Sequence, residues 1–145
     1  LDDCLYLGNL DSRRDWGHAR DYVQMMWLML QQDEPKDFVI STGRQESIRK
    51  FVEITASKLG WSSNNSSIIW SGSGLNEVGR RADNKEIVIR VDPRYYRPTE
   101  VEELLGDATK AREILGWVPK ISLEEMINEM IINDKEISQK ESLLK

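Results

Sequence analysis

Between Asn9 and Tyr22 the chain reads Asn-Leu-Asp-Ser-Arg-Arg-Asp-Trp-Gly-His-Ala-Arg-Asp-Tyr. This sets the cation Arg14, the titratable His18 and the carboxylates Asp15 and Asp21 where a short apolar strand hands over to an apolar helix. A second stretch, Asp92-Pro-Arg-Tyr-Tyr-Arg-Pro-Thr-Glu100, brings Arg97 and paired tyrosines to another boundary between a strand and a helix start. A planar guanidinium answers phosphate oxygens with forked N–H donors better than an ammonium does. Two arginine-bearing turns can therefore bracket one diphosphate. Arg14 and Arg97 are the first candidates for that work, and Glu100 could accept from a ribose hydroxyl. The competing reading is that both arginines are surface groups paired with nearby acids, Asp15 and Glu100, as solvated ion pairs are.

Other features invite chemistry less well. His18 titrates near neutrality when unperturbed, but a histidine one turn into a helix, three residues from both Asp15 and Asp21, is suited to ordering the turn. No serine or cysteine stands beside it as a nucleophile. Gly72-Ser-Gly74 fails as a phosphate-cradling loop, because the third glycine of G-x-G-x-x-G falls at Glu77 and no long apolar helix follows. A solvated hairpin excursion is expected there. Trp16, Tyr22 and Trp27 lie on or beside an apolar helical face and read as core. Of Tyr95 and Tyr96, one can face a ligand while the other packs.

The elements that must position these residues alternate. Cys4 to Leu7 reads as a short buried strand ended by Gly8-Asn9. A helix is expected from near Asp15 or Trp16, with Ala19, Tyr22, Val23, Met26, Trp27 and Leu30 on its buried face and Met25, Leu28 and Met29 widening the stripe. Phe38 to Ile40 reads as a strand ending in Ser41-Thr42-Gly43. A second helix carries Ile48, Phe51, Val52, Thr55, Ala56 and Leu59, with Gly60 at its end where a positive φ is needed. After the polar turn Ser62 to Ser67, strands are expected at Ile68 to Trp70 and Ile87 to Val91, separated by a long excursion. Thr99 with Glu102, and Ser122 with Glu125, have capping-box spacing; the acids Glu100, Glu102 and Glu103 would favour the first of these helix starts. Asp107 is expected to cap a short helix stopped by Gly116 and Pro119. The charged tail from Lys135 to Lys145 is expected to fray.

Bulk properties narrow the function classes. The 145 residues, 39% hydrophobic and 31% charged, suit one domain or lobe. A net charge of −5 argues against a general binder of nucleic acid or membrane surfaces, so any anion site is local. The longest apolar run, Met25 to Leu30, falls short of the roughly 20 residues a membrane helix needs. A lone cysteine, Cys4, forms no internal disulfide, and no Cys/His cluster offers metal ligands. A reducing, cytoplasmic setting fits. The start at Leu1 lacks the pattern of a signal peptide and reads as internal to a longer protein.

Taken in order, the segments Gly8 to Val23, Asp37 to Gly43, Asn76 to Arg80, Asp92 to Val101, Gly106 to Ala111 and Leu115 to Pro119 resemble the GDP-mannose 4,6-dehydratases of the extended short-chain dehydrogenase/reductase group. The Leu-Gly-Trp-x-Pro turn is shared by many extended members. The combination of Arg-Asp-Trp-Gly-His and Tyr-Arg-Pro-Thr-Glu-Val carries the specificity. The resemblance implies an α/β fold, with residues 1–145 forming the C-terminal substrate-binding portion of an extended Rossmann-type enzyme and the N-terminal dinucleotide-binding portion absent. Such enzymes convert GDP-mannose to GDP-4-keto-6-deoxymannose with tightly held NADP. By the same resemblance, Arg14 and Arg97 would grip the nucleotide-sugar diphosphate, Glu100 would help hold the ribose, and the protein would assemble as a homo-oligomer.

The catalytic half of that machinery is missing. A Tyr-x-x-x-Lys pair is needed as acid/base, yet four residues after Tyr6, Tyr22, Tyr95 and Tyr96 stand Leu10, Met26, Thr99 and Glu100. The expected function is therefore GDP-mannose binding without turnover, with no catalytic residue and no cofactor bound by this chain itself. The alternatives are a non-catalytic nucleotide-binding module, a structural remnant used for association, and the same portion of a related GDP-sugar reductase or epimerase.

Overall fold

The computed structural model describes residues 3–101 and 104–143. In chain order the elements are β1 (Leu5–Leu7), β2 (Arg13–Asp15), α1 (Ala19–Leu30), β3 (Gln45–Ser47), α2 (Ile48–Lys58), β4 (Ile68–Ser71), β5 (Val78–Arg81), β6 (Ile87–Val91), α3 (Thr109–Leu115) and α4 (Leu123–Leu143). They gather into two compact units. Unit 1 is Leu1–Arg13 with Ser47–Glu102, and unit 2 is Arg14–Glu46 with Glu103–Lys145. β2 and β3 form a two-stranded ladder.

Unit 1 is a four-stranded sheet in the order β1-β6-β5-β4. β1 runs parallel to β6, with Leu5 opposite Ile89 and Leu7 opposite Val91, while β5 runs antiparallel to both of its neighbours. α2 lays Ile48 and Val52, one turn apart, against Leu10, Ile89 and Val91, and Leu7, Trp70, Val88 and Tyr96 close this core. Burying each such side chain stabilises by about 1.5–3 kcal/mol. The helix begins where Ser47 Oγ accepts from Lys50 N at 3.0 Å, and Gly60, at φ +83°, follows its end as expected. The Ser62 to Ser67 turn closes on a Ser63–Ser66 bridge, with Asn64 and Asn65 at positive φ.

Two expectations for unit 1 need correction. β1 was expected to be buried, but Leu5 and Tyr6 are exposed, because among the described residues β1 is an edge strand paired with β6 alone. The excursion between β4 and β6 contains a strand of its own, β5, bonded on both sides. Its Val-Gly-Arg-Arg sequence hides the signal: there is no apolar alternation, and the Arg81 guanidinium covers the Trp61 ring at 4.5 Å instead of marking a loop.

Unit 2 buries Met25, Ala108, Ala111 and Trp117, with Tyr22, Leu28, Met29, Phe38, Ile40 and Leu115 packed around them. α1 starts at Ala19, later than expected, because Arg13–Asp15 belong to β2 and His18 is the cap. Its inward face is also rotated from the expected one. Asp21 and Met25 point inward, whereas Val23, Met26, Trp27 and Leu30 are exposed, Leu30 by 81%. A polar anchor sets this phase. Trp117 Nε1 donates to Asp21 O at 2.9 Å, and the Asp21 carboxylate accepts from Lys120 N and Ile121 N at 2.9 and 3.0 Å. Phe38 to Ile40, expected as a strand, joins no ladder among the described residues.

The helix expected from Thr99 is not seen at Thr99 to Val101; Glu102 and Glu103 lie outside the described residues. Asp107 Oδ1 accepts from Thr109 N at 2.9 Å at the start of α3, which ends at Gly116 with φ +63°. The Ser122–Glu125 box at the start of α4 is complete: Ser122 N donates to Glu125 Oε2 at 2.8 Å and Glu125 N donates to Ser122 Oγ at 3.2 Å. The segment expected to fray is helical as far as Leu143, since between Pro119 and that point no glycine or proline interrupts it.

Candidate functional site

In unit 1 the segment after β6 is built around Asp92. Its backbone N donates to Leu7 O at 2.9 Å, and its carbonyl accepts from Tyr95 N and Tyr96 N, each at 3.0 Å. Its carboxylate accepts from Arg94 N at 2.8 Å and from Arg94 Nη2 at 2.6 Å. The Arg94 guanidinium holds the Asp92 carboxyl below its ordinary range. This aspartate-centred turn decides between the tyrosines. Tyr96 packs on the sheet core, while Tyr95 is exposed beneath the Arg94 guanidinium, 5.6 Å from its ring centre.

Arg97 follows directly, and its side chain is 77% exposed. Its main chain is held at both polar atoms: Arg97 N donates to Asn9 Oδ1 and Asn9 Nδ2 donates to Arg97 O, each at 2.8 Å. Glu100 Oε2 lies 4.0 Å from Arg97 Nη1, with its own side chain largely covered. The two residues are thus brought together, at a spacing that leaves the guanidinium turned mostly to solvent.

Arg14 lies on β2 and belongs to unit 2, half-buried. Its neighbour Asp15 has a structural task. The Asp15 carboxylate accepts from Thr42 N at 2.8 Å and Gly43 N at 3.0 Å, and from the Tyr22 hydroxyl at 3.3 Å. Burial, reinforced by the Asp15 charge, pushes the Tyr22 hydroxyl up to about 12. His18 orders its turn as expected, but as the cap of α1 and not from one turn inside the helix. Nδ1 accepts from Arg20 N at 3.0 Å, so the ring serves as the α1 cap, and Nε2 lies 3.5 Å from Glu129. Trp16 Nε1 donates to Glu46 O at 3.0 Å.

Some engaged residues escaped the sequence reading. Arg49 donates to Asp11 at 2.7 and 3.0 Å and to Glu77 at 2.7 and 3.2 Å, while its guanidinium lies 4.6 Å from the centre of the Trp70 ring. The double carboxylate contact keeps it firmly protonated. Asn9 was also missed as a holder of Arg97. Gly-Asn after an apolar run signals a turn, but a partner 88 positions away leaves no local trace.

Neither Arg14 nor Arg97 lines either of two clefts. One of about 160 Å³ in unit 2 is lined by Trp16, Arg44 and Lys120 among others, and one of about 420 Å³ in unit 1 by Lys50, Glu53 and Lys58 with neighbouring serines. Gly72 and Gly74, at φ +84° and +55°, lead only into the 3-10 turn Gly74–Asn76. That turn lacks the long helix a dinucleotide phosphate needs. Among the described residues there is no group of three or more potential metal ligands and no helix long and apolar enough to cross a membrane.

The family model described as GDP-mannose 4,6 dehydratase matches residues 1–130. The GDP-mannose 4,6-dehydratase of Yersinia enterocolitica is 51% identical across the whole chain, which spans 40% of that relative. The human GDP-mannose 4,6 dehydratase is 50% identical over 93% of the chain, and 35% of its own length is matched. The chain thus spans about two fifths of the curated relatives it matches. Among solved structures, RMD from Pseudomonas aeruginosa complexed with NADPH superposes with a TM-score of 0.61 at 18% identity, covering 88% of this chain and 34% of that one. UDP-glucose 4-epimerase from Thermotoga maritima with UDP-glucose gives 0.66 at 23%, covering 92% and 35%. These likenesses show the fold, that of one part of larger Rossmann-type α/β proteins.

Proposed function

Because the chain belongs to the GDP-mannose 4,6-dehydratase family, we propose that it is the nucleotide-sugar-binding portion of such an enzyme, which takes GDP-mannose to GDP-4-keto-6-deoxymannose. Arg14 and Arg97 grip the diphosphate in this reading, and Glu100 holds the ribose. The observation that carries it is Arg97 itself. An arginine with a tightly held main chain and a side chain turned to solvent is pre-organised to meet an anion arriving from outside. NADP is held by a portion outside this chain and supplies the redox chemistry there. The complete protein is a cytoplasmic homo-oligomer in the same reading, in keeping with the lone cysteine.

Calorimetric titration with GDP-mannose, on this chain alone and mixed with the amino-terminal portion of a family member, tests the proposal. Arg14→Ala and Arg97→Ala should each weaken binding by about tenfold or more. Binding unaffected by either replacement would overturn their assigned roles, and absence of binding in the mixture would leave a part used only for association. The purified chain alone should not dehydrate GDP-mannose, since it has no Tyr-x-x-x-Lys pair. Turnover by contaminant-free chain would refute that division of labour.

A further inference from the structure

We propose that Asn9 is a positioning residue for Arg97, fixing the direction from which its guanidinium meets a phosphate. The inference rests on the reading of Arg97 as a phosphate ligand, and it adds a residue that contacts no ligand.

The argument begins with what the Asn9 side chain offers, one acceptor and a two-hydrogen donor on a single planar group. Both ends are used on one residue. Oδ1 accepts from Arg97 N and Nδ2 donates to Arg97 O, each at 2.8 Å, so the carboxamide pairs with this peptide segment as a neighbouring strand would. Asn9 directly follows Gly8, which has its own reason to be glycine. A Cβ built on Gly8 would collide with the Tyr95 carbonyl, so the backbone before Asn9 lies against the segment that carries Arg97. Asp92 fixes that segment upstream through the Tyr95 and Tyr96 amides. Asn9 is the tie that reaches Arg97 itself.

Functional leverage follows from where order ends. The Arg97 side chain is mostly in water and touches Glu100 only at 4.0 Å, so its direction is inherited from the main chain. Forked donors reward angle as much as distance. A loosened main chain would therefore weaken phosphate binding while the sheet core, which is built from other residues, stays intact.

A double-mutant cycle on the chain tests this, with GDP-mannose as the titrant and Asn9→Ala, Asn9→Asp, Arg97→Ala and the double replacement Asn9→Ala/Arg97→Ala as variants. Asn9→Ala should weaken binding by about tenfold, and the double variant should bind no more weakly than Arg97→Ala, because Asn9 acts through Arg97. Asn9→Asp keeps the acceptor for Arg97 N but loses the donor to Arg97 O, so its affinity should fall between wild type and Asn9→Ala. It also serves as the test if the alanine variant folds poorly. Hydrogen exchange at the Arg97 amide, read by NMR without ligand, should speed up in Asn9→Ala while core amides such as Ile89 keep their protection. Additive losses in the cycle, or an unchanged Arg97 amide, would overturn the inference. So would full affinity in Asn9→Ala alongside a weakened Arg97→Ala, a result that leaves the nucleotide-sugar reading standing. If Arg97→Ala itself binds normally, the ligand role of Arg97 fails and the functional part of this inference fails with it.

Discussion

Arg49 shows how the value of an ion pair depends on the more covered partner. Its guanidinium contacts Asp11, whose side chain is 78% exposed, and Glu77, whose side chain is 14% exposed, at the same 2.7 Å. Water already solvates the first carboxylate and screens the pair, so Asp11→Ala should cost no more than about 0.5 kcal/mol. Arg49→Leu strands Glu77 in a partly desolvated place and should cost about 2 kcal/mol. Urea unfolding of the two variants checks the ranking, and equal losses would contradict it. The same cluster marks the limit of reading residues in sequence. Arg14, Arg97 and His18 could be chosen because local spacing made them conspicuous, and His18 does order its turn. Asn9 and Arg49 could not, since their partners come from 28 to 88 positions away. Nor does spacing say which of two adjacent tyrosines meets the core.

At the scale of elements, what was legible was whatever is decided locally. Caps and stops are made by neighbours a few residues apart, and Gly60, Gly116 and the Ser122–Glu125 box stand where they were expected, while Asp107 lies one residue before the α3 cap position, which Ala108 holds. The phase of α1 was misread because a charged residue, Asp21, takes an inward position for the amides of Lys120 and Ile121. A rule that sends charges outward turns the helix the wrong way. β5 was missed because arginines that cover rings resemble arginines in loops. The α4 box also makes a pH prediction. The hydrogen bonds from the Ser122 backbone and side chain hold the Glu125 carboxyl below its ordinary value. A depressed carboxyl contributes stability that is present above its unfolded pKa, about 4.3, and is lost as pH falls through the lower native value. Helical signal in acid titration should therefore decline below about pH 4.3, and Glu125→Gln should remove that part of the decline. Ser122→Ala should lower stability by about 1 kcal/mol at neutral pH.

At the scale of the whole chain, the notable feature is how much apolar surface the fold leaves on one helix. Val23, Met26, Trp27 and Leu30 occupy positions i, i+3, i+4 and i+7 of α1 and are all exposed, Trp27 by 59%. Such a stripe is spaced to pack against another element, and a contiguous apolar patch of this kind drives association when left in water. In the same unit Phe38 to Ile40 joins no ladder among the described residues, although its types suit a sheet. The chain spans about two fifths of the curated relatives it matches. Each large side chain fully removed from water contributes about 1.5–3 kcal/mol, which favours association of copies against the cost of bringing them together. Sedimentation velocity should accordingly show this chain growing in mass with concentration. Met26→Glu with Trp27→Glu should return it to monomer without loss of helical signal, because neither side chain belongs to the core around Met25 and Trp117. A wild-type chain that sediments as a monomer at every concentration would show that the stripe is tolerated in water, and association would then have to be sought on another surface.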